Sequence, residues 1–346
     1  MSFDGYDPGS MKPMRRTLLL VAWAVLVAGV VFVFDRIIAG RGFEAFDAET
    51  YLAAGERLNA GHALYALAPG DRPILTNPAF YTYPLLSPPP IAVLWRALAA
   101  LPAGWGIGLW WLACIGSVMA TLGVVFRRLP VLAGLSVLLF APFVAWELES
   151  GNVDGLFFAG IAATWLLALR RRDVAAGALV GVMAGIKLWP VVLLLWFVGQ
   201  SRWRAVAGAT IALLVVGLLS VAGAGLPAHF EYLGIARETA ASPLSLPGML
   251  QAAGLNLPWA NYLVLVLGAA LVLVLRDRVE LTFAVAIPTM ILGSPVVNIN
   301  TYALMLIGLV PFVWPANARV DGLERRPARN HGTIGSASAV DEGLTI

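Results

Sequence analysis

The chain has 346 residues, of which 60% are hydrophobic and only 12% charged, with a formal net charge of +3. Its mean hydropathy is +0.82. Soluble domains carry about 25% charged residues, so a water-soluble fold of this composition could not cover its own surface. The excess positive charge sits in arginines at the ends of apolar runs, where membrane orientation accounts for it, and it is no signature of nucleic-acid binding.

Apolar runs cover 17–34, 105–126, 131–146, 153–169, 174–199, 205–223, 260–275, 280–293 and 300–315. Spanning hydrocarbon takes about 20 helical residues. Several runs reach that length, and the shorter ones need tilt, partners or local thinning. The composition therefore predicts an all-α fold, a polytopic transmembrane bundle of about ten spans. The first run follows Arg15 and Arg16, ends on Asp35 and Arg36, and has no A-x-A site, so it reads as a retained helix rather than a cleaved signal peptide. The expected organisation is a cytoplasmic segment 1–16, a transmembrane domain 17–315 with a long extracytoplasmic loop 35–83, and a cytoplasmic tail 316–346. The tail is polar and rich in Arg, Gly and Ser, a composition that reads as disordered.

Positive residues mark the cytoplasmic side. Placing Arg127-Arg128, Arg170-Arg171-Arg172, Arg202 with Arg204, and Arg276 with Arg278 inside makes the segments between them hairpins. Their tips are then Glu147–Asn152, Gly185–Pro190, 224–259 and Ser294–Asn300, all on the outer face with loop 35–83. In this scheme 88–101 is a short, partial element. The alternative makes 82–101 a full span and 174–199 a single span, and sets Arg127-Arg128 and Arg170–Arg172 outside, against the charge rule.

Loop 35–83 alternates polar and apolar residues. Within it 46–60 fits an amphipathic helix, with Phe46, Leu52 or Ala53, and Leu58 on one side and Glu49, Glu56 and Arg57 on another. Asp47 stands at its start, where a capping role is the plain reading. Tyr51, His62, Tyr65 and Tyr83 follow, the last of them in a Tyr-Pro stretch before Pro88-Pro89-Pro90. Proline fixes φ and withholds a donor, so that stretch is extended, and tyrosines there also suit a membrane–water interface.

Lys187 is the sharpest single residue. The only other lysine is Lys12, and Lys187 falls in mid-run between Gly185 and Trp189-Pro190. A lysine at membrane depth is costly and marks function unless it snorkels out from a helix end. A broken helix is tolerated where it lines a cavity, and an ammonium there suits a phosphate oxygen. Glu147, Glu149, Asn152 and Asp154 form a polar tip, and Asn298 with Asn300 forms another. Solvated turns and caps are the bland readings of both. Cys114 reads as a small buried hydrophobe. No His-x-x-x-His pattern supports a metal, with Glu147, Glu149 and Asp154 the one carboxylate grouping that leaves room for it. No Walker loop or dinucleotide fingerprint is present, so no cofactor is expected.

The run Phe46-Asp47-Ala48-Glu49-Thr50-Tyr51-Leu52-Ala53-Ala54-Gly55, then Gly61-His62-Ala63-Leu64-Tyr65, Tyr83-Pro84, Ser150-Gly151-Asn152-Val153-Asp154, the block 176–190 ending Gly185-Ile186-Lys187-Leu188-Trp189-Pro190, and Arg202-Trp203-Arg204 together resemble glycosyltransferase family 87. These are polyprenyl-phosphate-mannose-dependent α-1,2-mannosyltransferases with a GT-C fold, and the likeness runs from about 17 to 315. The family often has Gly-Gln where this chain has Gly151-Asn152, and a histidine where it has Val296, Val297 and Asn298. The resemblance implies a plasma-membrane enzyme acting on the outer face. Its donor is a polyprenyl-phosphate sugar held by the membrane lipid, and its acceptor is a glycolipid or glycan hydroxyl. Reaction is an inverting single displacement with Asp47 as base. Lys187 is then the donor-phosphate ligand, and Glu49, Tyr51, His62, Tyr65, Tyr83, Glu149, Asn152, Asp154, Asn298 and Asn300 are candidates to line the substrate cavity. Two other readings stand beside it: a lipid or solute transporter built around the broken helix at Lys187, and a catalytically silent envelope-assembly partner.

Overall fold

A computed structural model describes Thr17, Val21 and residues 45–73, 83–238 and 242–316. The expectations for 1–16, for most of the first helix, for Asn77 to Thr82 and for the tail after 316 lie outside the described residues. Among the described residues there is no strand. The helices are α1 (Phe46–Asn59), α2 (Pro89–Ala99), α3 (Trp105–Arg128), α4 (Pro130–Ser150), α5 (Asp154–Leu169), α6 (Asp173–Ile186), α7 (Leu193–Gly199), α8 (Trp203–Glu238), α9 (Leu246–Ala252), α10 (Ala260–Val274), α11 (Val279–Leu292) and α12 (Val310–Val313). Short 3-10 helices at Trp189–Val192 and Ile299–Leu309 lead into α7 and α12.

α3, α4 and α8 are long and apolar enough to cross a membrane, and six shorter apolar helical stretches accompany them. Their outward faces carry Leu112, Leu139, Leu214, Leu218 and Val274, all exposed. Apolar surface on this scale has no stable place in water. The chain is a polytopic helical membrane protein, and apart from the first the predicted runs coincide with these elements.

Two sets of loops occupy opposite ends of the bundle. At one end Arg202 Nη1 donates to Ala168 O and to Asp173 Oδ1, both at 2.7 Å, and Gln200 Nε2 donates to Arg276 O. The arginine loops after α5, α7 and α10 therefore meet there. The ion pair between Asp173 and Arg202 also shows that segment 173–202 returns to the end it left, a hairpin as the charge pattern predicts rather than a single span. The element at 88–101 is also short, as expected: α2 has 11 residues, about 16 Å of helix. Asn59 Nδ2 donates to Arg96 O, and Arg96 donates to Asn59 Oδ1 and Gly223 O.

Two expectations need correcting. α8 does not stop at 223; it continues to Glu238 through a kink at Gly225, where φ is 80° and Pro227 follows. The His229 ring stitches the kink, with Nδ1 at 2.9 Å from Gly225 O and Nε2 at 3.0 Å from Ser220 Oγ. In α1 Arg57 is buried, not on the exposed side, because its Nε donates to Leu64 O and ties the following loop to the helix.

The closest helix pairing is α6 against α8. Gly177 and Gly181 lie against the backbone of Ala205 and Ala209, and Gly208 against Val174. Small residues at every fourth position let backbones approach, which is how helices associate in lipid. Beside this seam Trp165, Trp196 and Phe283 form a mutual aromatic core, with centroids 4.9–5.6 Å apart.

A Cβ on Gly177 would collide with the Ala205 carbonyl, whereas Gly217, in α8, has open space around it. Gly177→Ala should destabilise by about 1–3 kcal/mol through overpacking, while Gly217→Ala should be neutral or stabilising by about 0.5–1 kcal/mol. Unfolding of the two detergent-solubilised variants checks this contrast.

Candidate active site

At the end away from the arginine loops, four segments converge. The first is the turn between α4 and α5. Gly151, with φ 62°, closes α4 and reverses the chain, a left-handed position that favours glycine. The freed carbonyls are captured from α3: Trp110 Nε1 donates to Gly151 O at 2.8 Å and Trp111 Nε1 to Leu148 O at 2.6 Å. Asp154 N donates to Asn152 Oδ1 at 3.1 Å. These bonds satisfy backbone groups that helix ends leave open and fix Asn152 and Asp154, both buried.

The second segment is the end of α6. Lys187 has extended backbone, φ −138° and ψ 135°, so the helix stops and its side chain reaches the turn. Lys187 Nζ donates to Asn152 Oδ1 and Asp154 Oδ1, each at 2.7 Å. The third is the 3-10 helix Ile299–Leu309. Thr301 Oγ1 donates to Asp154 Oδ2 at 2.9 Å, and Asn300 Nδ2 to Glu147 Oε2 at 2.7 Å. The fourth is the start of α1, where Asp47 Oδ2 accepts from Asn152 Nδ2 at 2.7 Å.

The result is one chain of bonds, Asp47 to Asn152 to Lys187 to Asp154 to Thr301. Asp47 is not the helix cap: α1 begins at Phe46 with Ala45 as cap, so Asp47 lies in the first turn and its carboxylate faces Asn152. Burial pushes the Asp47 carboxyl up to about 6, against the opposing pull of the Asn152 hydrogen bond and the Lys187 charge. Lys187 does not snorkel; its side chain is 14% exposed and that of Asp154 is 0%. Glu147 Oε1 is buried without a partner among the described residues.

Other candidates lie elsewhere or make no part of this network. His62 Nδ1 is 2.8 Å from Asp71 Oδ1 and belongs to the fold of its own loop. Tyr65 donates to Ser87 O and stacks on Tyr232 at 6.2 Å. Tyr83 donates to Glu238 Oε2 at 2.5 Å. Tyr51 is buried against Trp95 and Trp110, one turn beyond Asp47. Glu49, Glu149 and Asn298 make no side-chain hydrogen bond among the described residues. No cluster of three His, Cys, Asp or Glu fit to hold a metal is found among the described residues. Thr301 and the indoles of Trp110 and Trp111 escaped the sequence reading. A threonine in an apolar run and tryptophans near a helix start look like span residues, and Thr301 is visible only as the neighbour of Asn300.

A membrane-embedded helical bundle with its buried charges gathered at one end is the class these observations define. The chain belongs to glycosyltransferase family 87, whose sequence description matches residues 81–295. The matched stretch holds Asn152, Asp154 and Lys187, and Asp47 precedes it. The chain is 27% identical over 241 residues to a polyprenol-phosphate-mannose-dependent alpha-(1-2)-phosphatidylinositol pentamannoside mannosyltransferase of Mycolicibacterium smegmatis, covering 67% of this chain and 57% of that relative. It thus spans a little over half the length of the curated relative. No solved structure matches.

Breaking a buried ion pair from one side leaves a charge uncompensated, which costs about 3–5 kcal/mol. Lys187→Met should destabilise the protein by that order, and adding Asp154→Asn should recover part of the loss. Unfolding of the single and double variants in detergent measures both.

Proposed function

We propose that the chain transfers a mannosyl unit from a polyprenyl-phosphate sugar to a hydroxyl of a glycolipid or glycan, on the extracytoplasmic face of the plasma membrane. The observation that carries this reading is the bridge Asp47–Asn152–Lys187, which holds a carboxylate and an ammonium one amide apart. The relative's dependence on a polyprenol-phosphate-mannose donor supports the choice of sugar and lipid. The separation of the arginine loops from the charged end supports the face.

The chemistry follows from what each group has left to offer. Asp47 Oδ2 is engaged by Asn152, and Oδ1 makes no direct hydrogen bond among the described residues. Oδ1 takes the proton of the acceptor hydroxyl as its oxygen bonds to the anomeric carbon. The bond from that carbon to the phosphate oxygen breaks as the new one forms, and the configuration inverts. The electron pair leaves with the phosphate. An ammonium has three N–H donors, and Lys187 spends bonds on Asn152 and Asp154, which leaves one to stabilise the departing phosphate charge. Fixed donors aimed at developing charge are a large source of catalysis in water-poor sites. A phosphate leaving group needs little proton help, so one carboxylate suffices. The remaining tip and loop residues, Glu49, Tyr51, His62, Tyr65, Tyr83, Glu149, Asp154, Asn298 and Asn300, complete or support the cavity in this reading.

The test is transfer of radiolabelled mannose from polyprenyl-phosphate-mannose to a glycolipid extract by the purified protein. Asp47→Asn should lower the rate by about 10²–10⁴-fold, the usual worth of a general base. Activity should fall as pH drops through about 6, because Asp47 is then protonated. Full activity of Asp47→Asn removes it from the role.

The face has its own test. Cys114 is the single cysteine and is buried, so it gives a silent background. A maleimide that cannot cross the membrane should label Arg171→Cys only after permeabilisation, and labelling of intact cells would falsify the proposed face.

A further inference from the structure

Asn152 has bonds that admit only one orientation of its amide. Oδ1 faces two groups that can only donate, Lys187 Nζ at 2.7 Å and the Asp154 N–H at 3.1 Å. Nδ2 faces a group that, when ionised, can only accept, Asp47 Oδ2 at 2.7 Å. Turning the amide over would set its NH₂ against an ammonium and its oxygen against a carboxylate. The residue is buried and its turn is anchored by the Trp110 and Trp111 indoles, so the orientation is built in.

From this geometry we infer that Asn152 is a positioning residue: it insulates Asp47 from Lys187 and reserves Oδ1 of Asp47 for the acceptor's proton. The inference rests on the reading of Asp47 as base. Without an intervening group, a carboxylate and an ammonium so near would collapse into a direct ion pair. Such a pair lowers the carboxylate's basicity and uses up the N–H meant for the phosphate. The amide passes on only a neutral hydrogen bond to each. Asp47 therefore keeps Oδ1 available as a base, and Lys187 keeps an N–H for the phosphate. The charged and titratable groups around Asp47 are Lys187 at the end of α6, Asp154 at the start of α5, Glu147 on α4 and Tyr51 on its own helix, with the Ser150 hydroxyl beside them. Burial and Asp154 raise the proton affinity of Asp47, while the Asn152 N–H at 2.7 Å and the Ser150 hydroxyl oppose them.

The decisive variant is Asn152→Asp. It has the same shape and keeps an acceptor for Lys187 and for the Asp154 N–H, but loses the donor to Asp47. Two carboxylates then share one site, which raises the proton affinity of the pair. In the mannose-transfer assay the acidic limb of the pH–rate profile should move up by at least about one unit. A one-unit rise from about 6 takes the ionised fraction at pH 7 down to about a half, so the rate there should fall by about 2-fold or more and recover towards alkaline pH. Asn152→Leu, which removes both bonds, serves as the second variant: its limb should also shift, without alkaline recovery to the wild-type rate. Asn152→Gln keeps donor and acceptor and should hold the limb where the wild type has it. A limb that stays fixed in the Asp and Leu variants, with the rate lowered equally at every pH, overturns the inference, since that is what mere structural damage does. The two levels fail separately. Activity in Asp47→Asn sinks the base assignment, whereas inactivity of Asp47→Asn with an unmoved limb in Asn152→Asp sinks only the role of Asn152.

Discussion

The Lys187 ammonium, held inside a bundle that has little polar surface, is the constraint on which the rest of the site depends. An unpaired buried charge is untenable in an apolar interior. Lys187 must therefore bring a carboxylate with it, and Asp154 is that partner. Asp154 is wholly buried, so its second oxygen needs a donor as well, and Thr301 supplies it from a segment 147 residues away in sequence. The lysine thus dictates a contact between α5, the end of α6 and the 3-10 helix before α12. The close glycine seam between α6 and α8 holds the broken helix at the depth this contact requires.

Backbone dipoles share the burden. Asp47 and Asp154 sit in the first turns of α1 and α5, where the N-terminal end of a helix favours negative charge. Lys187 stands at the C-terminal end of α6, which favours positive charge. Each of the three charges is therefore stabilised by its own helix before it meets its partner. Glu147 has no such help. It lies in the last turn of α4, with one oxygen on Asn300 and the other unpartnered among the described residues.

Much of this was legible in the sequence, and the illegible part has a physical pattern. Lys187 stood out through scarcity and through the glycine and proline around it. The Glu147–Asp154 tip stood out as a polar break between apolar runs, and hydropathy placed α3 to α8 and α10 to α12, though not α1, α2 or α9. The pairings did not appear, because Asp47 and Asn152 are 105 residues apart and Lys187 and Asn152 are 35 apart. No local period encodes such contacts. Short-range rules also misled at the loop: an amphipathic pattern set Arg57 outside, but the Leu64 carbonyl, four residues beyond the C-cap Ala60, takes its Nε–H and draws it in. Capping preference likewise assigned Asp47 to its own helix, when the stronger demand came from an amide on another element.

Under the proposed function, chemistry falls at the outer end of this network. Deep in the network, Asp154 has both oxygens engaged and Thr301 donates its hydroxyl hydrogen bond to Asp154. These groups spend their bonds on one another and hold the structure. Moving outward along the chain of bonds, Lys187 keeps one donor and Asp47 keeps one oxygen. An acceptor hydroxyl and a phosphate are the two polar groups a glycosyl transfer must handle, one needing a place for its proton and the other a partner for its charge. The network offers one of each, on either side of a single amide. Along this chain of bonds Asp154 is engaged at both oxygens, while Lys187 and Asp47 keep a free position each; Glu147, beside the chain, is the buried carboxylate left with an unpartnered oxygen among the described residues.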